Sequence, residues 1–427
     1  MHGIKRHRLR LESDAVKPKL LVIGNGMASV RLVEALVRQA PELFDITVVG
    51  AEQRAGYNRV LLSALLAKDV SEDEIILKDK AWYQASGIRL ISGDAVVMVD
   101  QADRTAVLAS GEVIAFSQCV FATGSHAIRL PILGMDKAGV ITFRDLNDVE
   151  VMEAAAAAHR KVAVIGGGLL GIEAAYGLAK RGANVTLVHV MDRLMERQLD
   201  APASLLLKQA MARKGVKVLL QKQTVAVSGD ACATGLIFDD GTTLEADLVI
   251  CAVGIKPNAD LAKASGLTVN RGIVVDDAMQ TNTPGFYAVG ECAEHKGVAY
   301  GLVEPAYAQA DVAAAILIGK TDAFEGMVLS TNLKVSGVSV FSAGAFMGGG
   351  NTQAITLQDR KTATYRKLVL EDGKLTGCVL VGETEDALWY LELIRNGVDI
   401  SAVRQSLVHG RTFSESALNQ NTVSEAA

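Results

Sequence analysis

Two stretches of the chain repeat one pattern of apolar and polar positions. "KLLVIGNGMASVRLVEALVRQAPELFDITVVGAE" and "KVAVIGGGLLGIEAAYGLAKRGANVTLVHV" each open on a short apolar run and pass through a glycine turn. Each then continues as an amphipathic helix and closes on a second apolar run. That order predicts a strand, a helix and a second strand in each. Between them, "IRLISGDAVVMVDQADRTAVLASGEVIAFSQCVFATGS" alternates apolar and polar residues and is broken by Gly111, as strands and hairpins are. The alternation returns in "ATGLIFDDGTTLEADLVICAVGIKPN", and both stretches end in an apolar strand running into a small-residue turn, "ATG" and "AVG". From about Gly326 the texture changes to strand-rich "STNLKVSGVSVFSAGAF" and "TYRKLVLEDGKLTGCVLVGE", with a helix around "EDALWYLELIRNG". This predicts a smaller third domain of α+β type. The last residues, "SESALNQNTVSEAA", are polar and are expected to be disordered.

Length agrees with this division, since 427 residues suggest two to three domains at about 150 residues each. Charge narrows the partners: a formal net charge of -5 with 21% charged residues lacks the basic surplus that neutralises nucleic-acid phosphates. The basic N-terminus "MHGIKRHRLRLES" has no apolar region behind it, so it reads as a solvated tail rather than a secretory signal. No run reaches the ~18 to 20 apolar residues of a membrane span, and a soluble, cytoplasmic protein is expected. Cys119, Cys232, Cys251, Cys292 and Cys378 are widely spaced and form no CxxC or CxxxxC pair. That spacing argues against a local zinc site, a cysteine-ligated iron-sulfur cluster or a redox dithiol. The seven histidines are equally scattered, and no metal site is expected.

The glycine turns carry the chemistry. In a strand–turn–helix of this kind the first glycine makes the tight bend, the second lets backbone approach a pyrophosphate, and the helix offers its N-terminal amides to the phosphates. In the first copy Gly24 and Gly26 take these places, with Met27 beside them and Ser29 where a third glycine would stand. Glu52 is the nearby acid that could hold ribose hydroxyls. The second copy, Gly166, Gly168 and Gly171, is complete, but the strand-end position that favours an acid for NAD holds His189, with Arg193 four residues later. NADH is the expected nucleotide, with NADPH left open. Two dinucleotide sites on one chain are redundant unless their ligands react, which points to a flavin in one and a nicotinamide in the other.

The order of a first fingerprint, "ATG", an inserted second fingerprint, "AVGIKPN" and "TNTPGFYAVGEC" resembles the pyridine nucleotide-disulfide oxidoreductase superfamily over nearly the whole chain. The resemblance implies an α/β fold: two Rossmann-like domains, an FAD domain interrupted by an NAD(P) domain, followed by the small C-terminal α+β domain. The implied divisions are a basic tail at 1–17, an FAD domain at 18–127 and 256–322, and an NAD(P) domain at 128–255. The C-terminal domain would then cover 323–411, with a polar tail at 412–427. In this layout Glu291 would accept hydrogen bonds from the flavin ribitol, in place of the more common aspartate, with Gly290 near a phosphate. Cys292 needs no catalytic role. Val96 would lie near the adenine, Thr123 and Gly124 near the cofactor, and Arg59 against the pyrophosphate or flavin. Glu304 and Pro305 would start a helix whose N-terminus faces the flavin, favouring its anionic reduced form by roughly 0.3 to 1 kcal/mol. Gly254 of "AVG" would belong to the NAD(P) site, and Glu173 would face the nicotinamide pocket. Relatives often pair that glutamate with a lysine, but here Ala64 follows Ser63.

"YNRVLLS", "LMERQLD", "VGECAEHKGVAYGLVEP" and "STNLKVSGVSVFSAG" are together similar to the flavoprotein module of bacterial assimilatory nitrate and nitrite reductases. The resemblance implies electron transfer from NAD(P)H through FAD to a partner redox protein. The helix after the first turn lacks the CxxxxC of the disulfide reductases, and the chain stops at Ala427 where nitrite reductases continue into cysteine-rich iron-sulfur and siroheme regions. A partner is therefore expected to complete nitrate or nitrite reduction, and a homodimer is one option for assembly. A rubredoxin or ferredoxin reductase is the alternative within redox enzymes, and a flavin-based redox sensor or assembly protein the alternative outside them.

Overall fold

A computed structural model describes residues 17–335, 338–416 and 418. The basic tail expected at 1–17 lies, apart from Lys17, outside the described residues. The chain divides into two compact units.

The first unit comprises Met1–Tyr57, Ile76–Ser125 and Pro257–Glu325. Its centre is a five-stranded parallel sheet in the order Phe286–Ala288, Gln118–Phe121, Lys19–Ile23, Asp45–Gly50, Arg89–Ser92. Leu20 to Ile23 are all buried, as expected of a strand covered on both faces. The helix Met27–Gln39 shares the core of this sheet through Leu32, Val33, Ala35 and Leu36. It stops at Ala40 because the residue before Pro41 is driven out of helical geometry. A three-stranded antiparallel sheet, Val96–Asp100, Thr105–Leu108 and Val113–Ala115, is built from the alternating stretch. The helix Val303–Leu317 starts two residues before Pro305. Proline is tolerated there because a first-turn N–H has no helical partner.

The second unit comprises Asn58–Ile75, His126–Lys256 and Gly326–Ala427. It holds a second parallel sheet, in the order Lys217–Leu219, Asn184–Val188, Lys161–Ile165, Leu248–Cys251, Val140–Thr142. Residues 58–75, which lie within the stretch 18–127 expected to belong to the FAD domain, group here. Their short helix Leu62–Leu66 packs Leu66 against Gly177, where a Cβ would come within 2.9 Å of the leucine side chain. A five-stranded antiparallel sheet, Ser330–Val335, Val338–Gly344, Lys374–Val381, Thr364–Glu371, Gln353–Asp359, forms the C-terminal part with the helix Ala387–Asn396 against it. That helix ends at Gly397 with φ 56°, a left-handed C-terminal glycine. The tail expected to be polar and disordered begins instead as a helix over 411–416. Ser414 is fully buried there, its hydroxyl 3.1 Å from that of Ser406, because a polar side chain with a partner can be packed. The rest of that tail, apart from residue 418, lies outside the described residues. Among the described residues no helix is long and apolar enough to cross a membrane.

Candidate functional site

In the first unit the turn after Lys19–Ile23 is closed by Gly24, whose N–H donates to Val49 O at 2.7 Å. Its φ is +113°, and a Cβ would lie 2.1 Å from Ala122 O, so no side chain fits. Two residues on, Gly26 caps the helix Met27–Gln39 with extended backbone, and nothing lies within 4 Å of where its Cβ would be. The helix has no side-chain cap and no acid in its first turn. Its unpaired amides therefore face open space, an arrangement suited to a pyrophosphate. Ser29 is fully buried with no partner for its hydroxyl. Asn25 accepts from the Tyr83 hydroxyl at 2.7 Å, while its Nδ2 is buried without a partner. After the second strand, Glu52 accepts from the Tyr57 hydroxyl at 2.8 Å.

The other wall comes from segments distant in sequence. Thr123 Oγ1 donates to Asn258 O at 2.6 Å, Asn258 Nδ2 donates to Thr123 O at 2.9 Å, and Asn258 N–H donates to Gly124 O at 2.9 Å. Beside this clamp, Ser125 Oγ donates to Glu291 Oε2 at 2.7 Å. Gly290 has φ +82°, and a Cβ there would sit 2.9 Å from that of Ala28, so the turn and the first helix approach closely only because the residue is glycine. Its N–H donates to Gln309 Oε1 at 2.8 Å, within the helix Val303–Leu317, and Gln309 Nε2 is buried without a partner. Glu304 is exposed in the first turn of that helix, with Pro305 buried after it. A charge at Glu304 complements the helix dipole and also competes with any anion placed there. Cys292 is fully buried with Sγ against Phe121 O and Val289 O, and burial pushes its thiol up, which makes it a packed side chain rather than a nucleophile. Val96 begins the first strand of the three-stranded sheet and is half-buried.

The second unit repeats the turn. Gly166 has φ +120°, donates to Val188 O at 2.8 Å and would place a Cβ 2.2 Å from Ala252 O. Gly168 caps the helix Leu169–Lys180 with nothing within 4 Å of its Cβ position, and Gly171 would put a Cβ 1.9 Å from Gly166 O. Gly254 has φ +128°, and its carbonyl accepts from Ile128 N–H at 2.9 Å. His189 follows the strand Asn184–Val188: its Nδ1 accepts from Gly167 N–H at 3.0 Å, and its Nε2 lies 3.0 Å from Glu196 Oε2. Glu173 lies on the same helix, and burial raises its carboxyl to about 7 against the lowering effect of a hydrogen bond from Ser63. Arg59 also falls in this unit, donating from Nη1 to Arg144 O at 3.1 Å.

Gly24, Gly26, Met27, Ser29, Glu52, Thr123, Gly124, Gly290, Glu291, Glu304 and Pro305 thus share the first unit with Val96. Gly166, Gly168, Gly171, His189, Gly254 and Glu173 share the second. Sequence reasoning missed Asn25, Asn258 and Gln309, whose partners lie 58, 135 and 19 residues away, although "KPN" and the buried glutamine of "AYAQA" carried a signal. Glu196 was overlooked inside "LMERQLD", seven residues past the histidine it meets. Among the described residues no group of three or more His, Cys, Asp or Glu side chains could hold a metal ion.

A family model described as pyridine nucleotide-disulphide oxidoreductase matches residues 18–315, and one described as rubredoxin NAD+ reductase C-terminal domain matches residues 330–398. The chain is 46% identical over 386 residues to the NAD(P)H nitrite reductase of Bacillus subtilis (strain 168), covering 90% of this chain and 48% of that protein. It is 38% identical over 421 residues to the assimilatory nitrate reductase electron transfer subunit of the same organism, covering 96% of this chain and 55% of that one. The chain therefore spans about half the length of these curated relatives. Among solved structures, the covalent putidaredoxin reductase-putidaredoxin complex matches with a TM-score of 0.85 at 25% identity, over 95% of this chain and 98% of that one.

Proposed function

Because the chain belongs to the pyridine nucleotide-disulphide oxidoreductase family, we propose that it is an NAD(P)H-dependent FAD oxidoreductase serving as the electron-transfer part of an assimilatory nitrate or nitrite reductase. The observation that carries this reading is the pair of glycine turns, each backed against a carbonyl and each opening an uncapped helix, one in each unit. When bound, FAD accepts a hydride equivalent from a nicotinamide and releases the electrons to an acceptor. The chain's own residues bind and orient. Gly24, Gly26, Met27 and Ser29 would seat the FAD pyrophosphate on the first helix, with Glu52 toward the adenosine ribose and Val96 toward the adenine. Thr123, Gly124, Gly290 and Glu291 would hold the flavin end, where Ser125 fixes the rotamer of Glu291 through its 2.7 Å bond. Gly166, Gly168, Gly171 and Gly254 would seat the nicotinamide nucleotide. No side chain need exchange a proton with the hydride, so positioning dominates.

The two relatives from Bacillus subtilis support a downstream partner in nitrate or nitrite reduction. The C-terminal family match and the putidaredoxin reductase likeness support a second reading, a reductase of rubredoxin or a ferredoxin. The experiment is anaerobic mixing of the FAD-loaded chain with NADH and with NADPH, followed by bleaching of the flavin band. Rapid bleaching by at least one nucleotide is expected, and a flavin that neither reduces overturns the proposal. Reoxidation of the bleached protein by a nitrite reductase catalytic fragment but not by rubredoxin separates the two readings.

A further inference from the structure

Where a dinucleotide site carries an acid at the end of the second strand, that acid receives the ribose hydroxyls and repels a 2′-phosphate. This chain has His189 at that place, and the geometry points to Glu196 as the residue that supplies the missing carboxylate. From it we infer a preference for NADH over NADPH. The inference rests on the second glycine turn being the nicotinamide site.

The imidazole is a bracket rather than a reader. Gly167 N–H can only donate, so Nδ1 accepts, and Nε2–H is left to donate a hydrogen bond to Glu196 Oε2 at 3.0 Å. The ring is packed onto the glycine turn, since a Cβ on Gly167 would lie 2.6 Å from His189 Cγ. The loop that carries the glutamate folds back on the same turn: Met195 N–H donates to Gly167 O at 2.9 Å, and a Cβ on Gly167 would also meet Leu194 Cδ2 at 2.9 Å. Met195 takes φ +50°, a conformation unfavourable for methionine, so the loop is held there by its contacts. The Glu196 side chain keeps 22% of its exposure, and its second oxygen is 3.8 Å from the guanidinium of the exposed Arg197. One oxygen is thus anchored and the carboxylate still reaches solvent.

Charge beyond the strand end points the same way. A hollow of about 430 Å³ next to Val190 and Met191, adjoining the Glu196 loop without being lined by it, is bounded by Asp192, Arg193, Gln221 and Asp239 among others, two acids to one base. Arg193 and the exposed Arg197 are the groups that could welcome a phosphate, and Arg193 Nε is buried without a partner. Its Nη1, however, is engaged by both oxygens of Asp192 at 3.0 and 3.2 Å, which offsets its charge.

The test is calorimetric titration of the FAD-loaded chain with ADP-ribose and with its 2′-phosphate, in parallel with flavin reduction by NADH and NADPH. The wild-type chain is expected to bind ADP-ribose at least ~10-fold more tightly, as one like-charge contact implies. Glu196→Gln keeps shape and a hydrogen bond to His189 and should erase most of that ratio, chiefly by improving the phosphorylated ligand. Glu196→Asp, which draws the charge back, should give an intermediate ratio. A wild-type chain indifferent to the 2′-phosphate or preferring it overturns the inference, as does a Glu196→Gln protein with an unchanged ratio. If neither nucleotide bleaches the flavin while the ADP-ribose preference and its loss persist, the reductase reading fails and this one stands.

Discussion

Glu173 places a buried carboxyl on the helix Leu169–Lys180, where among the described residues the Ser63 hydroxyl answers it. Burial raises its ionisation to about 7 from an ordinary value of 4.5, while the Ser63 hydrogen bond pulls the other way. A carboxyl raised on folding stabilises the native state fully below its unfolded value and loses that contribution as pH climbs through the folded one. Between pH 4.5 and pH 8 the wild-type chain is therefore expected to lose up to about 3 kcal/mol from this group. Glu173→Gln cannot ionise. Urea unfolding should find the variant more stable than wild type by about 2 to 3 kcal/mol at pH 8 and close to it at pH 4.5. A difference that does not change with pH would refute the assignment.

At the scale of the element, the strand–turn–helix unit separates what glycine does for the fold from what it does for a ligand. Gly24 is required by the chain itself, because φ +113° and a carbonyl 2.1 Å from its Cβ position leave no alternative. Gly26 has allowed backbone for any residue and empty space around its Cβ position, so only an approaching ligand would demand a glycine there. Gly24→Ala should therefore cost several kcal/mol of stability, the magnitude of a strained φ plus a core clash. Gly26→Ala should change the unfolding of the FAD-free chain by less than about 1 kcal/mol, a small N-cap effect, and still weaken FAD binding at least ~10-fold. Thermal unfolding and quenching of FAD fluorescence measure the two quantities independently, and a Gly26→Ala protein with full FAD affinity would remove the pyrophosphate from this turn. These glycines were legible in the sequence because a missing Cβ leaves its mark on one residue. The clamp of Thr123 with Asn258 was not, since each hydrogen bond joins residues 135 apart and neither type announces a partner. Gln309 and Glu196 meet partners only 19 and seven residues away, and they escaped because neither residue type announces a partner.

The whole molecule was legible as two repeated dinucleotide folds and an α+β remainder because the central parallel strands, such as Lys19–Ile23, Lys161–Ile165 and Leu248–Cys251, are apolar runs followed by a turn. The grouping of residues 58–75 with the second unit was not, because a short helix such as Leu62–Leu66 shows no neighbour in its own pattern and is assigned by what Leu66 packs against. Cysteine placement is the property that decides the electron inventory of the chain. All five cysteines are free, Cys119, Cys251, Cys292 and Cys378 are buried, and burial pushes each of these four thiols up, away from the thiolate that exchanges disulfides. Cys232 is exposed but has no cysteine beside it in sequence to resolve a disulfide. The FAD-loaded chain should therefore take up two electrons per flavin in an anaerobic dithionite titration, and its Cys232→Ser variant should take up the same. An uptake near four would require a dithiol that these residues do not form, and would overturn the reading of the chain as a flavin-only relay.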